Sequence, residues 1–318
     1  MILTVTLNAA IDRTVAVPNF RQSHRHRAVE SRTVAGGKGI NVARALGLLG
    51  RPVIAAGVAG GPTGNRVLEQ LRAERILTDF TWVAGETRIN MAVVDPTSGE
   101  QTEVNERGPA VSVEEVDSFC SRLDYLAGGA SICVLAGTLP PGAGEELYAR
   151  LVKRLRERGL TVILDSEGDP MMEGLRAGPS VVTPNEREAE ELVGHEFEDD
   201  EDLVHGLEEL VRLGAGEAVI TRSAGCVAVI GEGAERRYVE VSTEPLDPVA
   251  TVGSGDAFLA GYVAALYDGQ AAADCLAYGV ACGAESTQHF GAGTVDRRQV
   301  ERLLGDVAVR ELEVPAEV

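Results

Sequence analysis

Hydrophobic positions along the chain fall into two alternating patterns, short apolar runs and longer stretches with an apolar stripe at helical spacing. The run at 2–7 is rich in β-branched residues and reads as a strand that ends at Asn8-Ala9-Ala10-Ile11-Asp12. Ile40, Ala43, Leu46 and Leu49 mark a helix that Gly50 stops. A strand over 53–58 and a helix over 63–73 follow. Further on the order is helix 113–127, strand 131–136, helix 143–158, strand 160–165, strand 180–182, helix 185–193 and helix 201–213. A β pair within 217–240 leads to an apolar helix behind Gly253, and a helix over 271–289 closes the series. Strand–helix units in this rhythm predict an α/β fold, a mostly parallel sheet with helices on both faces. Two β-rich segments, 12–34 and 82–106, interrupt it; the second belongs to a β-like pattern running from Phe80 to Asn105, with Pro96-Thr97-Ser98-Gly99 as its hairpin turn. Together they predict a small sheet, a β lid inserted in one domain spanning 1–318. Residues 311–318 read as a frayed end.

Two glycine-rich turns feed helix starts, and these carry the candidate chemistry. Thr251-Val252-Gly253-Ser254-Gly255-Asp256 opens directly into the apolar helical pattern. Backbone N–H groups at a helix start have no intrahelical acceptor, and the positive end of the dipole lies there too, so the turn suits an anion. A carboxylate beside an anion site repels the ligand unless it has work there. Asp256 fits a base that takes a proton from a hydroxyl attacking phosphorus. It equally fits an acidic first-turn residue that favours the helix dipole. The second turn is Gly36-Gly37-Lys38-Gly39-Ile40-Asn41. A compact ammonium between glycines suits a phosphate or a hydroxyl. The turn is neither a P-loop nor a dinucleotide fingerprint, since no Gly-Lys-[Ser/Thr] follows a four-residue gap and it does not follow the first strand. Asp12 lies just past that strand, where open α/β sheets place ligand contacts, and alone it fits a turn residue as well.

Charge narrows the partners. Lys and Arg number 29 against 49 Asp and Glu, a formal net charge of −20. That field repels nucleic acid and anionic membranes, so neither is expected as a partner. Lys38 and Lys153 are the lysines of a chain that otherwise writes its basic residues as arginine, which sets Lys38 apart. Cys120, Cys133, Cys226, Cys275 and Cys282 are odd in number and form no CxxC pair, which fits buried thiols in a reducing compartment. No run approaches membrane-spanning length, and the start of the chain lacks the basic region of a signal peptide. A cytoplasmic protein is expected.

Several motifs then converge. Gly36-Gly37-Lys38-Gly39-Ile40-Asn41-Val42-Ala43 resembles the first signature of the ribokinase-like (PfkB) carbohydrate kinases, and Thr251-Val252-Gly253-Ser254-Gly255-Asp256 resembles the second. Ala136-Gly137-Thr138-Leu139-Pro140-Pro141-Gly142, Asp165-Ser166 and Pro184-Asn185-Glu186-Arg187-Glu188 fall between them in that family's order, so the resemblance covers nearly the whole chain. Thr6-Leu7-Asn8 with Ala10-Ile11-Asp12, and Thr87-Arg88-Ile89-Asn90, resemble the phosphosugar branch of 1-phosphofructokinases, tagatose-6-phosphate kinases and minor 6-phosphofructokinases. The resemblance implies a ribokinase-like fold and ATP-dependent phosphorylation of a hexose phosphate, with fructose 1-phosphate first and tagatose 6-phosphate or fructose 6-phosphate next. It assigns Asp256 as general base, with the N–H groups of Gly253, Ser254 and Gly255 as the anion hole. Asp12, Gly37 and Asn41 are implied for the sugar hydroxyls, and Lys38, Arg88, Asn90 and Thr138 for the phosphate the substrate already carries. Asp165, Asn185 and Glu188 resemble the magnesium shell, with Asn185 at the nucleotide. Thr221, Arg222, Ser223, Gly225 and the stretch from Gly283 to His289 are implied to line the ATP. A homodimer through the lid is expected as well.

Four positions depart from the family pattern. Ala9 replaces a proline, Thr183 replaces a lysine before Pro184-Asn185, the 221–225 loop is one residue short, and His289 stands where asparagine is common. Three of these touch the nucleotide side, and all four leave the sugar side largely intact. The short loop is the feature that favours a competing reading, a sugar-phosphate-binding regulator with little turnover. A kinase of an unphosphorylated sugar is the third reading. Arg88 opposes it, because a free sugar offers no phosphate for a guanidinium to clamp.

Overall fold

The structure, a computed structural model, describes residues 1–231, 233–244 and 246–312. The chain begins with β1 (Ile2–Thr6), β2 (Ala10–Ala16), β3 (Glu30–Gly36), α1 (Lys38–Leu48), β4 (Val53–Ala59), α2 (Gly61–Ala73), β5 (Leu77–Trp82), β6 (Arg88–Val94) and β7 (Gln101–Val104). It continues through α3 (Val113–Ala127), β8 (Ile132–Ala136), α4 (Leu147–Glu157), β9 (Thr161–Asp165), α5 (Gly168–Arg176), β10 (Val181–Val182), α6 (Glu186–Val193) and α7 (Asp200–Leu213). The last part holds β11 (Glu217–Arg222), β12 (Gly225–Ile230), β13 (Arg237–Ser242), α8 (Ser254–Tyr267), α9 (Ala272–Ser286), α10 (Arg297–Leu303) and β14 (Ala308–Glu311).

Ten strands form the main sheet in the order β14-β13-β12-β11-β10-β9-β8-β1-β4-β5. From β5 to β11 neighbours run parallel, and β11 to β14 add an antiparallel margin. Side chains on β8 show how this sheet divides the interior. Ile132, Val134 and Ala136 point into the core beneath α1, α8 and α9, while Cys133 and Leu135 point into the core beneath α3, α4 and α7. Burial on both faces is why the central strands read as continuous apolar runs rather than alternating ones. Each fully buried Leu or Val contributes about 1.5–3 kcal/mol of transfer free energy.

The second sheet has four strands in the order β3-β2-β6-β7. β2 pairs parallel with β6, in a register that sets Ala10 opposite Arg88 and Asp12 opposite Asn90. Partners in a parallel ladder project from the same face, so this register gathers Asp12, Arg88 and Asn90 on one side of the lid.

Some expectations need correction. Residues from Phe80 to Trp82 belong to β5 at the edge of the main sheet, and the lid strand begins only at Arg88. The helix expected from 143 begins at Leu147, because Gly142 and Gly144 take φ of +87° and +79°, outside helical geometry. The expected β pair is three strands, β11 to β13. Helices α5 and α10 and strand β14 escaped the pattern reading. Of the end expected to fray, Glu311 pairs with Val239 in β14, and residues 313–318 lie outside the described ones. All five cysteines are buried and free, as their apolar surroundings predict.

Candidate active site

The carboxyl ends of the parallel strands deliver the site, as is general in open α/β sheets. The end of β1 supplies Thr6 and Asn8, the end of β8 supplies Gly137 and Thr138, and the end of β9 supplies Asp165, Ser166 and Glu167. Helix α1 presents Lys38 and Asn41, α8 presents Asp256, and the lid contributes Asp12, Arg88 and Asn90. A cavity of about 100 Å³ opens among Thr6, Asn8, Gly37, Lys38, Arg88, Gly137, Thr138 and Glu167.

Helix α8 starts without any side-chain cap. Gly253 takes φ +85°, a left-handed conformation, and a Cβ there would lie 2.4 Å from the Cβ of Ala292. Beside Gly255, by contrast, a Cβ would meet nothing within 4 Å, so space lies open against the helix start. The Ser254 N–H differs from expectation, since it donates to the Thr251 carbonyl at 3.2 Å. That bond closes the turn and removes Ser254 from the expected trio of anion-hole donors.

Asp256 is buried, and its Oδ2 accepts a hydrogen bond of 2.8 Å from Asn41 Nδ2. Burial pushes its pKa up to about 7 and the nearby Asp165 charge adds to the rise, while the Asn41 hydrogen bond and the Lys38 ammonium oppose it. A carboxylate poised near neutrality is suited to general base work. Asp12 is also raised by burial, against a 2.9 Å hydrogen bond from Asn90 Nδ2 and the charge of Arg88. Close packing at the turn explains one glycine directly: a Cβ on Gly36 would fall 1.8 Å from Asp12 Oδ2.

Lys38, Asp165 and Glu188 come together in a way the motifs did not indicate. Lys38 Nζ lies 2.9 Å from Asp165 Oδ1 and 3.7 Å from Glu188 Oε1. The Asp165 charge raises the Lys38 pKa, against the opposing effect of burial. Burial raises the Glu188 pKa, and Lys38 lowers it. The two carboxylates assigned to a metal thus already face a cation. Among the described residues no group of three or more His, Cys, Asp or Glu forms a metal cage. Magnesium takes one or two protein carboxylates and completes its shell with phosphates and water, so this donor pair fits it.

Several buried polar atoms without partners gather at this cavity. Thr6 Oγ1, Asn8 Oδ1 and Arg88 Nε, all on cavity-lining residues, are in this state, as is Asn90 Oδ1 next to Asp12. Leaving such groups unpaired is costly, so a polar ligand that satisfies them binds with a built-in advantage. Arg88 keeps one bond, from Nη1 to the Glu106 carbonyl at 2.9 Å. Asn8 Nδ2 donates to Thr138 Oγ1 at 3.1 Å and fixes that hydroxyl. Thr6, Asn8 and Ser166 lie within the family motifs without a role of their own there, and Glu167, two residues past the end of β9, has position as its only signal.

On the nucleotide side the assigned residues form two groups. Thr221, Arg222, Ser223 and Gly225 make the β11–β12 hairpin, where Arg222 pairs with Gly225 across a two-residue turn. Arg222 Nε bonds Glu186 Oε2 at 2.8 Å, and Thr221 bridges to Asn185. Asn185 and Glu188 form a reciprocal capping box at the start of α6, so both side chains have structural work. Gly283 lies on α9 against the start of α8, where a Cβ would be 3.3 Å from the Ser254 carbonyl. His289 bonds the buried Glu285 at 2.6 Å. No helix among the described residues is long and apolar enough to cross a membrane.

Comparison with known proteins accords with this fold. Residues 3–298 match the pfkB family carbohydrate kinases. The chain is 30% identical to a tagatose-6-phosphate kinase of Staphylococcus epidermidis, across 98% of this chain and 100% of that one. It is 29% identical to a 1-phosphofructokinase of Borreliella burgdorferi, across 98% and 99%. Phosphofructokinase-2 from Escherichia coli, solved in its tetrameric inhibited form, superposes with a TM-score of 0.88 at 27% identity, covering 96% of this chain and 98% of that one. The family match over nearly the whole chain makes this protein, with its ten-stranded sheet and small β lid, a phosphotransferase that acts on an alcohol. The chain belongs to the pfkB family of carbohydrate kinases. The family implies ATP as the phosphoryl donor.

Proposed function

We propose that this kinase phosphorylates a hexose that already carries a phosphate, fructose 1-phosphate first and tagatose 6-phosphate or fructose 6-phosphate next. The observation that carries the reading is the cavity where Arg88, Lys38, Asn8 and Thr138 converge, with Arg88 Nε buried and unpartnered. A dianionic group entering a protein of net charge −20 needs such local cations. The names of the two relatives near 30% identity agree with it. Asp12, Gly37 and Asn41 hold the sugar hydroxyls, and Asp256 takes the proton from the primary hydroxyl as it attacks the γ-phosphorus. The N–H groups of Gly253 and Gly255 face the charge that builds on the transferred oxygens. Asp165 and Glu188 would hold magnesium, which would supply charge neutralisation at the phosphates of ATP. Residues 1–318 act as one kinase domain with the lid inserted in it. Ile89 and Met91 on β6 and Val104 on β7 expose apolar surface, which supports pairing with the lid of a second copy. ADP release on fructose 1-phosphate, fructose 6-phosphate, tagatose 6-phosphate and free fructose tests the reading. A phosphosugar should be the best substrate, and preference for free fructose would overturn it.

A further inference from the structure

Arg44 on α1 has no role in the motifs, yet its side chain is only 11% exposed and all of its hydrogens are engaged. Nε donates to Glu74 Oε2 at 2.8 Å, and Nη1 to Asn41 Oδ1 at 3.0 Å and the Ala292 carbonyl at 3.1 Å. Nη2 donates to the Ala35 carbonyl at 2.7 Å and Glu74 Oε1 at 3.3 Å. A guanidinium has five donor hydrogens and no acceptor, so the set is complete. One consequence is orientational. An amide facing a group that can only donate must present its oxygen, which leaves Nδ2 of Asn41 for Asp256 Oδ2 at 2.8 Å. Turned over, the same amide would set donor against donor at Arg44 and oxygen against oxygen at Asp256. The guanidinium also holds Ala35, just ahead of the Gly36-Gly37 turn, and Ala292, which packs against Gly253.

We propose that Arg44 is a positioning residue for phosphoryl transfer, locking the Asn41 amide so that its N–H donates to Asp256. The inference rests on reading Asp256 as the base. Asp256 is faced by Asp165 from β9, Asp12 from β2, and Lys38 and Asn41 from α1. Arg44→Met keeps all four groups and, of these, frees only the Asn41 amide; the Ala35 and Ala292 carbonyls and Glu74 also lose a donor, and they do not touch Asp256. A carboxylate that loses this donor, or gains an oxygen neighbour, holds its proton more tightly.

The test is the pH dependence of kcat at saturating substrates for wild type, Arg44→Met, Arg44→Lys, Asn41→Leu and the double variant Arg44→Met/Asn41→Leu. Ionisation of the substrates is common to all five, so differences in the acid limb belong to the enzyme. Arg44→Met should move that limb upward by about one pH unit, with activity largely regained at high pH. The double variant should shift it no further than Asn41→Leu alone. Arg44→Lys, which keeps the charge beside Glu74, should shift it by less. A purely structural role would lower kcat equally at every pH. An unmoved limb in folded Arg44→Met, or in Asn41→Leu if the former does not fold, would overturn the proposal. A wild type without any acid limb would remove Asp256 as base, and this inference with it.

Discussion

Replacing Arg88 by alanine separates a phosphosugar kinase from a kinase of free sugars. Arg88 opens β6, and pairing with Ala10 holds it at the mouth of the cavity. Nη1 is spent on the Glu106 carbonyl, while Nε is buried without a partner. Partial burial lowers its pKa against the charges of Asp12, Glu106 and Glu167, so the guanidinium is poorly solvated and ringed by carboxylates. A phosphate met by Nε and Nη2 forms a charge-assisted, two-pronged contact. Removing one partner of a desolvated charge pair costs 2–5 kcal/mol or more, and the residual exposure of Arg88 places its loss at about 2–4 kcal/mol. At 1.4 kcal/mol per decade that is roughly 30- to 700-fold in kcat/KM on the best phosphosugar. Free fructose presents no phosphate, so any turnover of it should be almost unchanged. The assay is ADP release by both proteins on the four sugars. A loss below fivefold on the best phosphosugar, or an equal loss on free fructose, would refute the reasoning.

Asp256 must be deprotonated to act, so with a pKa near 7 the kcat of wild type should fall about tenfold per unit well below that pH. Its folded pKa lies above its unfolded value, so wild type loses stability as pH rises from about 4 to 7, and an Asp256→Asn variant should gain in relative melting temperature over that window. Lid pairing predicts a dimer at micromolar concentration, and Met91→Glu on the exposed lid face should yield monomers in sedimentation; an unchanged dimer would count against this surface. Asn185→Ala removes half of the α6 capping box and should cost about 1 kcal/mol, or about 2 °C in Tm. If KM for ATP rises as well, the side chain serves both cap and nucleotide; an unchanged KM assigns it to the cap.

Local chemistry made much of the molecule legible. The glycine turns before α1 and α8 declare themselves because a backbone that must approach a ligand, or adopt φ of +110° at Gly37 and +85° at Gly253, has few residues to choose from. The lid residues Asp12, Arg88 and Asn90 were readable by type, though their shared face comes from a register between strands far apart in sequence. Helix α5 was hidden by Gly168, Pro170 and Gly174 within nine residues, a composition that local propensity scores against a helix. Phe80 to Trp82, the end of β5, merged with the lid because an edge strand and a lid strand share the same half-exposed pattern. The ion pair of Lys38 with Asp165 spans 127 positions, and the bonds that make Arg44 central reach Ala292, 248 positions away. No periodicity encodes such contacts, and on its own Arg44 reads as an ordinary helix arginine.

The central claim is that Asp256 is the base, and Asp256→Asn tests it most directly. The substitution keeps the shape beside Asn41 and the open start of α8 but removes the carboxylate proposed to take the hydroxyl proton. Single-turnover transfer from ATP to the best phosphosugar, measured together with the affinity for both substrates, separates chemistry from binding. The account predicts a loss of about 10² to 10⁴ in kcat, with affinities equal to or tighter than wild type because a negative charge has left the anion site. Turnover within tenfold of wild type, or a loss that appears entirely as weakened binding, would contradict it.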